Sequence, residues 1–325
     1  MKKLLKRSLI ILLSLVLVGE IVYMRAPGAL FDSAIQILRW WAGLKRYEVR
    51  VDDHRWVYLA GGKGETILFI HGFGADKDRW GTFLSGFSKS YRLIVPDIPG
   101  FGENSKIASA SYDISSQVKR LNRFVERMGL DSFHLVGISM GGYISAYYAS
   151  EYPDKVKSLL LMDAAGVRSR LPSYVREYYE KEGKILLLYK TREELEEFLS
   201  VVFHRPPWVP GRLKTYFMKK GALQYEFKKK ILKDMVSGGM DLLENRLPRI
   251  KARTLIVWGA NDRIIDVSSV EKFESGLGDS RTVIIENCGH VPYLEKPAET
   301  KRAYREFLAD LPKERGGEER RGITK

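Results

Sequence analysis

The stretch HLVGISMGGYIS, residues 134–145, decides how the rest of the chain is read. An apolar β-rich run ends at Ser139, and a helix-like run begins directly after it. Three glycines crowd this junction (Gly137, Gly141 and Gly142), although glycine weakens both strands and helices. Gly137-Ile138-Ser139-Met140-Gly141 matches G-x-S-x-G, and a strand-to-helix turn is the context that pattern requires. Glycine on either side of the serine permits a sharp turn where a Cβ would collide with neighbouring backbone. Such a turn holds the serine strained, with Oγ exposed and a helix N-terminus beneath it. Taken alone, the pattern also fits an ordinary structural turn.

A serine hydroxyl is a weak nucleophile; it needs a base, and the base needs an orienting acid. The sequence holds five histidines. His290, in ENCGH, follows the last β-rich run and is the candidate base. His71, in HGFG, suits a structural hydrogen bond, while His54, His204 and His134 fall in a hairpin, an insert and a strand. Asp262, in WGANDRIID, is the candidate acid. Asp163, after the preceding strand, and Asp266, which looks like a helix N-cap, are the alternatives. The order Ser139, Asp262, His290 is that of one hydrolase fold. HGFG at 71–74 can turn the Phe73 N–H toward the site opposite the Met140 N–H. Two such donors would form an oxyanion hole, each worth ~3 kcal/mol of barrier. This chemistry calls for no metal and no cofactor.

Around the junction the pattern alternates. TILFIHG (66–72), YRLIVPD (91–97), FHLVGIS (133–139), VKSLLLMDAAG (156–166), RTLIVWG (253–259) and RTVIIEN (281–287) read as strands. Residues 114–130, 140–151 and 298–311 read as helices, and YEVRV and RWVYLAG as a hairpin turning at Asp52-Asp53. Strands alternating with helices predict an α/β fold with a mostly parallel sheet covered on both faces. The expected core spans 47–166 and 250–312. Between them, 167–249 loses the rhythm, reads mainly as short helices, and is too long for a loop, so it predicts a helical cap. Residues 313–325 read as a flexible tail.

The formal net charge is +14, which raises nucleic acid as a partner, but the distribution argues against it. Residues 1–7 hold four basic side chains and no acid; 168–249 hold 18 basic against 11 acidic. No zinc-finger, recognition-helix or RNP pattern accompanies them. A basic insert and a basic, apolar N-terminus suit an anionic membrane surface better. SLIILLSLVLVG, residues 8–19, is an uncharged run of 12. With its flanks, segment 1–28 reads as an uncleaved anchor, the alternative being a cleaved signal peptide. Residues 29–46 read as an interfacial helix with Leu30, Ile35, Leu38 and Trp41 on one face and Trp40 beside them. The basic N-terminus then stays in the cytoplasm and places the rest on the exported side. The single cysteine, Cys288, excludes an intramolecular disulfide.

HGFGADKDRW, PDIPGFGENS, GISMGG, WGANDRIID and NCGHVPYLEKP together resemble the successive blocks of the α/β-hydrolase superfamily. FHLVGISMGGYISAYYASEYPDKVKSLLL, WGANDRIIDVSS and IENCGHVPYLEKP are similar to membrane-anchored monoacylglycerol lipases and related bacterial lipases and esterases. That resemblance implies Ser139 as nucleophile, Asp262 as acid, His290 as base, and Phe73 and Met140 as backbone oxyanion donors. It implies a serine esterase acting on a lipid or small ester with an apolar acyl chain. A carbon–carbon bond hydrolase of aromatic cleavage products shares the elbow and triad order, and a non-catalytic lipid-binding protein is a further alternative. VVFHRPPWVPGRLKTYFMKK, residues 201–220, interleaves aromatic and basic side chains and predicts a stretch of cap that touches the bilayer. Oligomeric state and head-group preference leave no mark in the sequence.

Overall fold

The computed structural model describes residues 19, 20 and 23–312. The expected anchor, apart from Gly19, Glu20 and the residues from Tyr23 on, lies outside the described residues, as does the tail 313–325.

Helix α1 (Pro27–Trp41) leads into the hairpin β1 (Leu44–Val51) and β2 (His54–Gly61), followed by β3 (Thr66–Ile70) and β4 (Arg92–Pro96). Then come α2 (Ile114–Arg127), β5 (Phe133–Ile138), α3 (Met140–Glu151) and β6 (Val156–Met162). Helices α4 (Tyr174–Glu182), α5 (Arg192–Val202) and α6 (Gly211–Gly238) precede β7 (Arg253–Gly259), α7 (Ser269–Gly276), β8 (Ser280–Ile285), α8 (Pro292–Glu295) and α9 (Pro297–Ala309). The strands form one eight-stranded sheet in the order β1-β2-β4-β3-β5-β6-β7-β8. The first hairpin pairs antiparallel, and every pairing from β4 to β8 is parallel.

The central strands are continuous apolar runs because both faces are covered. Alternate residues of β3 point opposite ways: Ile67 and Phe69 join one core, Leu68 and Ile70 the other. In β5, Phe133 and Leu135 join the core of Leu68 and Ile70, while Val136 and Ile138 join that of Ile67 and Phe69. Helix α2 starts on Asp113, whose carboxylate accepts the Ser116 N–H, and buries Ile114, Val118, Leu121 and Val125 on one stripe, the spacing of an amphipathic helix. Helix α3 has no polar face at all and is buried almost throughout. A helix of small and apolar residues on every side fits only where the sheet and other helices enclose it.

Four expectations are corrected. The interfacial helix expected over 29–46 runs over Pro27–Trp41. It stops because Gly43 turns with φ 67° and Leu44, Lys45 and Arg46 pair with Gly61, Ala60 and Leu59. Nor do its apolar residues share one face. Phe31, Ile35, Leu38 and Ala42 turn toward the protein, whereas Leu30, Ile37, Trp40 and Trp41 are exposed. Both sets repeat at helical spacing, so the helix carries two apolar stripes. The insert is not built of short helices only: α6 runs for 28 residues. Gly221 does not break it because the Tyr189 ring packs where a Cβ would sit, 2.1 Å from that position. Finally, Asp266 accepts the Ser268 N–H at 2.9 Å in the turn before α7, whose N-cap is Ser268. No described helix is long and apolar enough to cross a membrane.

Candidate active site

Ser139 stands between β5 and α3 with φ 55° and ψ −122°, a left-handed conformation that costs a non-glycine residue about 1–3 kcal/mol. The backbone around it is fully committed. Its N–H donates to the Met162 carbonyl, and its own carbonyl accepts the Tyr143 and Ala165 N–H groups. The glycines are steric conditions for this turn. A Cβ on Gly137 would lie 2.3 Å from the Gly141 carbonyl oxygen, and one on Gly141 would lie 2.2 Å from that of Ile70.

The HGFG loop lies against the serine: a Cβ on Gly72 would come within 3.3 Å of Ser139 Cβ. His71 holds the loop in place. The Ile98 N–H donates to its Nε2 at 3.0 Å, and its Nδ1 donates to the Gly72 carbonyl at 2.8 Å. Burial lowers its pKa, so the ring is neutral and able to accept. That is the structural role expected from its sequence position. Phe73 and Met140 line one cleft together with Ser139.

His290 and Asp262 meet at the same edge of the sheet. Asp262 follows β7, His290 follows β8, and His290 Nδ1 donates to Asp262 Oδ2 at 2.7 Å. Both are buried. The other Asp262 oxygen accepts the Ile264 and Ile265 N–H groups at 2.7 and 3.1 Å, and those two isoleucines line the Ser139 cleft. Asp163 sits beside the pair: its carboxylate, that of Asp262 and the His290 ring offer ligand atoms within 4.8 Å of one another. Two acids and an imidazole could hold a metal, but the direct 2.7 Å contact between Nδ1 and Oδ2 leaves no place for an ion between them. Asp163 is fully buried, and Oδ1 accepts the Gly259 N–H at 2.9 Å. Burial, and then the Asp262 charge, push its carboxyl well above the usual carboxylate range.

The sequence reading missed Glu295, quoted in NCGHVPYLEKP without a role. Its Oε2 accepts the Gly289 and His204 N–H groups, and Oε1 accepts that of Arg205. One carboxylate therefore ties the His290 loop to the chain leaving α5, and the His290 N–H donates to the Val202 carbonyl at 2.9 Å. Its position five residues after His290 and before Pro297 was the only clue.

The cleft has a volume of about 1080 Å3. Its apolar walls include Val167, Leu186, Leu232, Met235, Val236 and Ile265, drawn largely from the helical insert. Arg168, Arg176, Lys229 and Lys233 stand among them. Ser139 shares this lining with apolar side chains able to receive an acyl chain.

The sequence profile of a family described as the alpha/beta hydrolase fold matches residues 65–297. Lipase 1 of Psychrobacter immobilis is 34% identical over 303 residues, covering 89% of this chain and 93% of the relative. Monoacylglycerol lipase ABHD6 of Homo sapiens is 30% identical over 303 residues, covering 88% of this chain and 90% of its own. Among solved structures, a membrane phospholipase A described as a bacterial virulence factor superposes with TM-score 0.85 at 39% identity, over 94% of this chain and 99% of its own.

Proposed function

The chain belongs to the α/β hydrolase fold family, and on that footing we propose that it is a serine hydrolase of carboxylic esters with apolar acyl chains, monoacylglycerols foremost. The hydrogen bond between His290 Nδ1 and Asp262 Oδ2 is the observation that carries the reading. It leaves Nε2 of His290 as the basic nitrogen and fixes the ring, which is what a serine hydroxyl needs from its base. Oγ of Ser139 attacks the ester carbonyl while His290 takes its proton. Asp262 stabilises the imidazolium, and the N–H groups of Phe73 and Met140 hold the oxyanion. His290 returns the proton to the departing alcohol. Water, activated in turn by His290, attacks the acyl-enzyme and releases the fatty acid.

The acyl chain lies in the apolar cleft under the insert, residues 167–249, which acts as a cap. Membrane association is part of the same reading. Ile37, Trp40 and Trp41 are 63%, 80% and 61% exposed on one side of α1, and Trp208, in the loop before α6, is 86% exposed. Tryptophan and aliphatic side chains beside basic residues favour the bilayer interface. Not all of the aromatic-basic stretch 201–220 serves this purpose: the Tyr216 and Phe217 rings pack on Phe31 of α1. The four basic residues before the apolar run keep the N-terminus cytoplasmic and the catalytic domain on the exported side.

Labelling with a fluorophosphonate, in the wild type and in Ser139→Ala, tests the nucleophile. Hydrolysis across a glyceride series from acetyl to stearoyl tests the substrate class. Labelling that survives Ser139→Ala, or turnover of a vinylogous diketone in preference to every ester, would overturn the proposal.

A further inference from the structure

A second cavity, of about 430 Å3, begins one residue beyond Phe73. Its walls are α1 (Phe31, Ile35), the stretch Gly74–Arg79, and α6 (Lys220, Lys228). Helix α6 thus faces both spaces, giving Lys228 to this cavity and Lys229 to the Ser139 cleft. Acids line the cavity as well, so the charges have to be accounted for one by one. Asp78 is held by Arg39 through two bonds of 2.6 Å. Glu103 takes Lys77 at 2.6 Å and Arg46 at 2.9 Å. Asp76 accepts the Asp78 N–H at 3.0 Å and lies 3.9 Å from Arg79. Asp32 lies beside the Tyr216 hydroxyl. Asp78 and Glu103 are held by cations, Asp32 meets only a hydroxyl, and Asp76 is the one buried acid that faces Arg79, Lys220 and Lys228.

The cations are not all matched. Among the described residues neither Lys220 nor Lys228 forms an ion pair, and the nearest acceptor to the Lys228 ammonium is the Gly74 carbonyl at 3.5 Å. Arg79 lies 5.8 Å from the Phe31 and Phe217 ring centres and 3.9 Å from Asp76. Burial, then the charges of Arg79, Lys220 and Lys106, set against Asp76, push the Lys228 ammonium down to about 8. Like charges gathered in a half-buried space repel one another unless an anion lies between them.

We propose that this cavity is a phosphate subsite, in which Lys220, Lys228 and Arg79 hold the phosphodiester of a glycerolipid whose acyl ester lies at Ser139. The inference rests on the ester-hydrolase reading for its substrate and on the cation cluster for its site. Only a glycerol unit separates such a phosphate from the acyl carbonyl, and Gly74 and Phe73, one in each space, are consecutive residues. The α1 wall, whose outer face carries Trp40 and Trp41, puts the cavity where head groups lie at a bilayer surface.

The full chain in detergent is given monooctanoylglycerol and monooctanoyl lysophosphatidylglycerol, which share an acyl chain and differ by the phosphate-bearing head group. In the double variant Lys220→Gln/Lys228→Gln the kcat/KM ratio of phospholipid to glyceride falls at least about tenfold, or about 1.4 kcal/mol. Both lysines lack ion-pair partners, so the variant folds. Inorganic phosphate is the second probe: it raises the melting temperature of the wild type and not of the double variant. A changed ratio identifies a lipid head group as the occupant. An unchanged ratio with a lysine-dependent phosphate shift identifies free phosphate. Neither effect overturns the subsite. Failure of the ester-hydrolase reading is distinguishable, since neither substrate then turns over and no serine is labelled, while the phosphate shift still decides the site.

Discussion

Asp163 and Asp262 stand side by side at the ends of adjacent strands, and they are hydrogen-bonded very differently. Asp262 receives three donors, from His290, Ile264 and Ile265. Asp163 receives one, from Gly259, and its Oδ2 has no partner in a fully buried place. Burial, and then the neighbouring Asp262 charge, raise the Asp163 carboxyl, whereas Asp262 holds the His290 ring.

The two acids therefore answer differently to the same change. Asp262→Asn lowers kcat by about 10^4, as loss of the orienting carboxylate does in other triads, whereas Asp163→Asn costs less than about tenfold. Ester turnover measured on both variants decides it, and a larger loss in Asp163→Asn than in Asp262→Asn would move the acid to Asp163. A carboxyl whose folded pKa is raised binds more protons folded than unfolded. It thus costs stability as pH rises above the ordinary carboxylate range, and this cost is absent at lower pH. The melting temperature gained by Asp163→Asn is accordingly larger at pH 8 than at pH 4.

Strain at Ser139 is separable from its chemistry. Ser139→Gly removes the hydroxyl and also the Cβ that resists φ 55°. Fluorophosphonate labelling disappears while the protein becomes more stable by about 1–3 kcal/mol. Ser139→Ala loses labelling too but keeps the strained Cβ, so its melting temperature stays near that of the wild type. Equal stabilisation in both variants would show that the backbone conformation stores nothing.

Much of this arrangement was legible in the residues. The elbow glycines, the parallel sheet and the pairing of Asp262 with His290 follow from local chemistry and from strand order, which a sequence displays directly. Glu295 was given no role and Asp163 stood only as an alternative acid, because their work depends on which backbone groups come to lie opposite them across 91 residues to His204 and 96 to Gly259. The two stripes of α1 were merged for a related reason. Periodicity says that Ile35 and Leu38 share a face, but only the cap's Tyr216 and Phe217, packed on Phe31, show which face is inward.

Glu295 offers a test of how the helical insert and the His290 loop are joined. Glu295→Ala leaves the N–H groups of Gly289, His204 and Arg205 without their acceptor, each such loss costing about 1–3 kcal/mol where it is buried. Turnover falls by about 10- to 100-fold through a less well held His290, and Glu295→Gln, which retains an acceptor oxygen, recovers part of it. Equal activity in Glu295→Ala and the wild type would leave the clamp without a function.

Lys77 is buried with its ammonium 3.1 Å from Asp97 and 2.6 Å from Glu103. Lys77→Met strands the buried Asp97 and destabilises the fold by about 3–5 kcal/mol. Burial alone would raise the Glu103 pKa, but the bonds from Lys77 and Arg46 outweigh it and hold the carboxyl at about 2. A depressed carboxyl stabilises the fold above its unfolded pKa, and that contribution is lost as pH falls from about 4.3 toward 2. Thermal unfolding between pH 5 and pH 2 shows a shallower decline in Glu103→Gln than in the wild type.

The outward stripe of α1 makes the last prediction. Ile37, Trp40 and Trp41 are exposed beyond what the folded chain itself uses, and each is worth roughly 1.5–3 kcal/mol when fully removed from water. Ile37→Ser/Trp40→Ser/Trp41→Ser weakens partition into anionic vesicles by about 10-fold or more. Turnover of a soluble short-chain ester stays unchanged, because none of the three lines the Ser139 cleft. Vesicle co-sedimentation reads the first quantity and nitrophenyl acetate the second. Partition equal to that of the wild type would assign membrane contact to the N-terminal run alone and leave the tryptophans without a part in it.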